Sequence, residues 1–190
     1  SSIKFIAQVS KFDSIAKMAE ALIKILSCSF RSSAGYYSLK EELDVLDSFI
    51  YLRKIRYSDG FDIRYEVEES CMDCLVPRLI LQPIVENSIV HGFDEMEEDI
   101  GQIVVAASKQ DDFLVIQIRD NGKGMTKEEM EALLSGKETG EKDHSSIGIS
   151  NVNARLVLNY GKDCELKMES ETGVYTMTVL RLPIRRREEK

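Results

Sequence analysis

The chain has 190 residues, enough for one well-packed domain and a short helical extension. An apolar fraction of 43% suits a soluble globular core, and a net charge of -8 argues against nucleic acid as the main partner, because a phosphate backbone asks for a basic face. No apolar run approaches the length of a membrane span, and no signal-peptide pattern opens the sequence. The chain starts Ser1-Ser2 without an initiator Met, as expected of a fragment of a longer protein. Cys71-Met72-Asp73-Cys74 has CxxC spacing, but no second pair and no nearby His completes a zinc site. With Cys28 and Cys164 these are expected to be reduced, structural thiols of a cytosolic protein.

From Ile3 to about Phe30, residues Ile3, Ile6, Val9, Ala16, Ala19, Ile23, Leu26 and Phe30 keep the three-to-four spacing of a helix. Residues Arg31 to Gly35 read as a turn. Ser38-Leu39-Lys40-Glu41 is a capping box that starts a second helix, running to about Tyr57 with a seam of Leu39, Leu43, Leu46, Phe49 and Ile50. The pair is expected to form a helical hairpin over residues 1–57, whose remaining apolar surface packs against a second copy to give a homodimer.

Residues 58–190 read as a second unit. Phe61 to Val67 alternates as a strand. Pro77 suits the first turn of a central helix, and Pro83, further inside it, is expected to remove a backbone hydrogen bond and kink it. That helix carries Leu81-Gln82-Pro83-Ile84-Val85-Glu86-Asn87-Ser88-Ile89-Val90-His91-Gly92. Leu81, Ile84, Val85, Ser88 and Ile89 form an inward face, while Gln82, Asn87 and His91 converge on another.

After an acidic loop, Asp94 to Asp99, Gly101 to Ser108 and Phe113 to Arg119 form a strand hairpin. Asp120-Asn121-Gly122-Lys123-Gly124-Met125 then leads into a capped helix and not a returning strand, so its glycines open a loop. Ser135 to Ser145 has no periodicity and reads as a mobile segment. Ser146-Ile147-Gly148-Ile149-Ser150-Asn151 opens the next helix, Ile147 to Asn159. Cys164 to Ser170 and Val174 to Leu182 read as two strands, and the tail from Arg185 as a solvated end. The layout is α+β: a two-layer sandwich of an antiparallel-rich sheet with helices on one face.

Taken together, the three motifs have the chemistry of a nucleotide site. Asp120 offers a charged acceptor to the exocyclic amino group of adenine. Gly122 and Gly124 admit close backbone approach to a planar base. Asn87 offers an oxygen to Mg²⁺, and the helix start at Ser146-Ile147-Gly148 suits phosphate.

In order and spacing, Leu81 to Gly92, Asp120 to Gly124 and Ser146 to Asn151 resemble the N, G1 and G2 boxes of two-component sensor histidine kinases of the LytS/YehU type, with Arg155-Leu156 following as in that family. Leu39, Glu41-Glu42-Leu43, Tyr51-Leu52 and Arg56-Tyr57 resemble the helix that precedes the ATP-binding domain in this subgroup. The resemblance covers nearly the whole chain. It implies a Bergerat-type sandwich of the gyrase–Hsp90–histidine kinase–MutL superfamily binding Mg-ATP, with Asn87 as metal ligand and Asp120 as adenine reader. Gly122, Gly124, Met125, Ser146, Gly148, Ile149 and Asn151 would complete the nucleotide site, and Glu86 and His91 would support phosphate or water as catalytic residues.

It further implies a response regulator as phosphate recipient and a membrane sensor whose membrane segments lie outside these residues, this part being cytoplasmic. Two departures stand out. Ser146 occupies the place of the first lid glycine, and the Pro-His-Phe motif that carries the phosphoacceptor His is absent, so this stretch is expected to bind ATP without phosphorylating itself. A degenerate, non-enzymatic signalling module and an ATPase with Glu86 as base for water are the rival readings.

Overall fold

A computed structural model describes residues 12–30, 35–57, 60–93, 100–136 and 144–186. The start of the helix expected from Ile3, most of the turn expected at 31–35, the acidic stretch 94–99, residues 137–143 and the last four residues lie outside the described residues. Helix α1 spans Asp13–Phe30 and α2 spans Leu39–Tyr57. The capping box of α2 is present: Glu41 N–H donates to Ser38 Oγ at 3.2 Å, and Ser38 N–H donates to Glu41 Oε2 at 2.8 Å.

A five-stranded sheet forms the floor, with β2 (Phe61–Val67), β4 (Gly101–Gln110), β5 (Phe113–Asp120), β7 (Tyr175–Pro183) and β6 (Lys167–Glu171) in the spatial order β2-β4-β5-β7-β6. Only the β2–β4 pairing is parallel; the rest are antiparallel. Burial alternates along the strands, so Ile103, Val105 and Ala107 of β4, Leu114, Ile116 and Ile118 of β5, and Leu180 and Leu182 of β7 face one core. Along β7 this inward row turns polar at one end, where Thr178 pairs with Ile118 and Thr176 with Asp120. Apolar burial holds the sheet closed at one end, and the polar end is left for chemistry.

The seam of α2, Leu39, Leu43, Leu46, Phe49 and Ile50, belongs to the same buried cluster as the sheet, so α2 shares the core of the second unit. Helix α1 is different: Ala16 and Ala21 are buried, while Phe12, Ile15, Met18, Leu22 and Leu26 form an exposed stripe.

Several elements differ from the sequence reading. Tyr36–Ser38 forms a short strand, β1, paired antiparallel with β3, Leu75–Pro77. Pro77 therefore ends a strand and does not open the central helix. That helix, α3, is Gln82–Asn87, with Pro83 in its first turn; a first-turn proline has no intrahelical N–H partner to lose, so the expected loss of a backbone hydrogen bond does not arise. The irregularity comes later, where Ser88–Gly92 continues as a π-turn. Helix α4 is Lys127–Ser135, capped by Thr126 with Glu129 in a second capping box and closed by Gly136 at φ +66°. Helix α5 is His144–Tyr160, so Ser146, Ile147 and Gly148 lie inside its first turns and do not precede it. Cys164 sits in a 3₁₀ turn ahead of β6, not in the strand, and the described cysteines are free thiols. No helix among the described residues is long and apolar enough to cross a membrane.

Candidate nucleotide site

At the polar end of the sheet, Asp120 closes β5 with its carboxylate pointing inward, 4% exposed. Ser88 Oγ donates to Asp120 Oδ2 at 2.6 Å, and Gly122 N–H donates to Oδ1 at 3.0 Å. Burial pushes the Asp120 carboxyl above the usual carboxylate range; Ser88, then the Gly122 and Thr176 backbones, pull against that shift. A buried carboxylate with so few donors retains acceptor capacity, which is what an amino group of a base requires. Ser88 was read only as a face residue of the central helix; its hydroxyl is the partner that fixes the acceptor, and no periodicity argument singles it out.

The loop after Asp120 is pressed against α3. A Cβ on Gly122 would lie 2.5 Å from Gly92 O and 2.6 Å from Gly92 Cα, so glycine is required for two backbones to touch. Lys123 N–H donates to Gly92 O at 2.9 Å, sealing the contact. Gly124, at φ +67°, lies against the β6–β7 turn, where a Cβ would fall 2.2 Å from Glu171 O. Gly173 N–H donates to Lys123 O, and Met125 N–H to Ser170 Oγ at 2.8 Å. The two glycines were expected to admit a base; what they touch here is the end of the π-turn that continues α3 and the β6–β7 turn, and this contact sets that helical segment against Asp120.

Asn87 is buried on α3, one residue before Ser88. Its neighbour Glu86 forms an ion pair with Arg53 of α2, whose guanidinium also stacks on Phe49. His91 is half-buried in the π-turn. Within α5, Gly148 faces Pro83, whose Cβ would stand 3.3 Å from an added Cβ, so the first turns of α5 lie against the first turn of α3. Ile149 is fully buried, Ile147 is exposed and Asn151 is exposed. Ser146 has helical backbone, a conformation that a residue with a Cβ adopts without strain. The structure thus brings Asn87, Asp120, Gly122 and Gly124 to one end of the sheet and Gly148 beside the start of α3, while Glu86 is turned toward α2. No cluster of metal-ligating His, Cys, Asp or Glu occurs among the described residues; a lone amide oxygen suits only a cation that keeps most of its waters.

The chain is similar to known proteins over most of its length. Residues 73–186 match the sequence profile of the histidine kinase-, DNA gyrase B- and HSP90-like ATPases, and residues 1–61 match a histidine kinase profile. The chain is 27% identical over 184 residues to the sensor histidine kinase YesM of Bacillus subtilis, covering 97% of this chain and 30% of that protein. It is 32% identical over 177 residues to the sensor protein LytS of Staphylococcus saprophyticus, covering 90% of this chain and 29% of that protein. Among solved structures, the catalytic domain of histidine kinase ThkA, in a nucleotide-free form, superposes with a TM-score of 0.59 at 15% identity, covering 80% of this chain and 99% of that one. The histidine kinase domain of a blue-light activated kinase from Erythrobacter litoralis gives 0.52 at 16% identity, covering 90% and 75%. These two establish likeness of fold.

Proposed function

The chain belongs to the family of histidine kinase-, DNA gyrase B- and HSP90-like ATPases, and from that premise we propose that it is the ATP-binding catalytic part of a sensor histidine kinase. The observation that carries the reading is the buried Asp120 carboxylate, held by Ser88 and Gly122 at the polar end of the sheet beside Asn87. Asp120 accepts from the adenine amino group. Asn87 gives its side-chain oxygen to Mg²⁺, with His91 facing phosphate or water. Gly122, Gly124 and Met125 shape one wall of the nucleotide site, and Ser146, Gly148 and Asn151 at the start of α5 bring helical N–H groups toward phosphate, with Ile149 as their buried support. When bound, Mg-ATP supplies the transferable γ-phosphoryl, and the chain's own residues contribute positioning and charge neutralisation. Glu86, paired with Arg53, serves to hold α3 on α2; a carboxylate engaged in an ion pair is a poor base for water, which favours the kinase over the ATPase reading.

The acceptor is an imidazole on the helical hairpin, in the part of the longer protein that these residues do not include, and a response regulator receives the phosphoryl group. The chain spans less than a third of YesM and of LytS, and the rest of such a protein carries its sensing and membrane segments, with this part in the cytoplasm. The exposed stripe on α1 is the dimer face between two hairpins. The test is to incubate the full-length protein with Mg-ATP labelled at the γ-phosphoryl. An acid-labile, alkali-stable phosphoprotein that Asp120→Asn abolishes is expected; steady hydrolysis without phosphoprotein would overturn the reading in favour of an ATPase.

A further inference from the structure

Among the described residues two carboxylates are buried, Asp120 and Glu42, and only the first belongs to the nucleotide site. Glu42 projects from the first turn of α2 and accepts three consecutive backbone N–H groups: Leu79 at 2.9 Å on Oε2, and Ile80 at 2.7 Å and Leu81 at 3.1 Å on Oε1. These are the residues that lead directly into α3, where N–H groups lack intrahelical partners and the helix dipole is positive. A neutral amide in place of the carboxylate would offer one acceptor oxygen and set an NH₂ group against the remaining donors.

On the other side, Arg155 of α5 donates Nη2 to Arg78 O at 2.6 Å, and its positive charge works against the upward push that burial gives the Glu42 carboxyl. Between these two grips Leu79 is held at φ +54°, a left-handed conformation that is strained for a leucine and persists only where the surroundings over-determine it. Further along, Arg53 of α2 meets Glu86 of α3. Helix α2 therefore grips α3 at its start and again one residue before Asn87. From Leu81 to Ser88 is about 10 Å of helix, with no break between the Glu42 grip and the Ser88–Asp120 bond.

We propose that Glu42 is a positioning residue for the nucleotide site: through it α2 fixes where α3 starts, and so where Asn87 and Ser88 stand relative to Asp120. This rests on the ATP-binding reading given above. It makes α2, one arm of the hairpin, an input to the site, because a shift of α2 along or about its axis carries the start of α3 with it. Arg155 gives the same anchor a second support from α5.

The experiment uses the 190-residue chain and a non-hydrolysable ATP analogue with Mg²⁺, titrated well below each variant's unfolding temperature. The variants are Glu42→Gln, Glu42→Asp and, as a control for general destabilisation, Leu46→Ala in the same helix and core. Glu42→Gln is expected to weaken binding about 10-fold or more, since an ångström-scale misplacement of site groups has effects of this order. Glu42→Asp, which keeps the charge but draws it back by one methylene, is expected to restore part of that loss. Leu46→Ala is expected to lower the unfolding temperature while leaving the affinity of the folded chain unchanged. Wild-type affinity in folded Glu42→Gln, or an equal loss in Leu46→Ala at matched stability, overturns the proposal. Where Glu42→Gln does not fold, Glu42→Asp decides: weakened binding supports the positioning role and unchanged binding overturns it. Asp120→Asn, run alongside, separates the two readings, since continued binding there would refute the nucleotide site itself.

Discussion

Replacing Gly122 with Ala probes the contact on which the site geometry depends. The added methyl would stand 2.5 Å from Gly92 O and 2.6 Å from Gly92 Cα, both backbone atoms with no rotamer to escape into. Ordinary contacts begin about 1 Å further out, so the loop and the end of α3 must separate by roughly that amount. Overpacking of this kind costs about 1–3 kcal/mol. Stretching the Lys123 N–H to Gly92 O bond, now 2.9 Å, adds about 0.5–1.5 kcal/mol. A total near 2–4 kcal/mol corresponds to a fall of roughly 4–16 °C in the unfolding midpoint for a chain of this size. Nucleotide affinity should fall further than stability alone explains, because Gly122 N–H also holds Asp120 Oδ1. Scanning calorimetry gives the first quantity and titration with an ATP analogue the second. Leu46→Ala in the core beneath α2 is the control, since it destabilises the fold without touching the nucleotide site. If Gly122→Ala behaves like that control in both measurements, the alignment of α3 with Asp120 does not depend on this contact and the reasoning fails.

Three other outcomes are expected. Ser88→Ala removes a hydrogen bond to a charged partner, costing about 1.5–3 kcal/mol of stability in denaturant unfolding, and raises the Asp120 pKa further; no change in either would contradict the assigned partnership. Burial already raises the Asp120 pKa, so acidification from neutrality should weaken adenine-nucleotide binding before the ordinary carboxylate range is reached. The sign for stability is opposite: a raised folded-state pKa means that the ionised form opposes folding, and its cost is relieved as pH falls through that pKa. An affinity that stays flat until ordinary aspartates protonate would refute this. Finally, Leu22→Asp in the α1 stripe should give a monomer in sedimentation equilibrium, each buried leucine contributing about 1.5–3 kcal/mol to such a face. A wild-type chain that is itself monomeric at the same concentration would rule out the stripe as the dimer face.

The sequence was most informative where burial follows a regular period. Leu81, Ile84, Val85, Ser88 and Ile89 are all buried as their spacing requires, and both capping boxes that start helices are visible as Ser-x-x-Glu and Thr-x-x-Glu. What failed was decided by partners distant in sequence. Tyr36–Ser38 and Leu75–Pro77 are strands because they pair with each other across almost forty residues, and three-residue strands carry no period. Pro83 was misjudged because the helix start is fixed by Glu42, a side chain far back in the sequence. The acidic pair Glu41-Glu42 looks uniform in sequence, yet one caps its own helix and the other is buried under a different one. Motif chemistry singled out Asp120 and Asn87 as candidates, whereas Ser88, Arg53 and Glu42 make contacts that only the packed chain displays.

The central claim is tested most directly by calorimetric titration of this chain with a non-hydrolysable ATP analogue, with and without Mg²⁺, for the wild type, Asp120→Asn and Asn87→Ala. The account predicts Mg²⁺-dependent binding by the wild type and none by a folded Asp120→Asn. It predicts for Asn87→Ala a weaker affinity that no longer responds to Mg²⁺. Binding by Asp120→Asn equal to that of the wild type, or no binding by a folded wild-type chain, would contradict it.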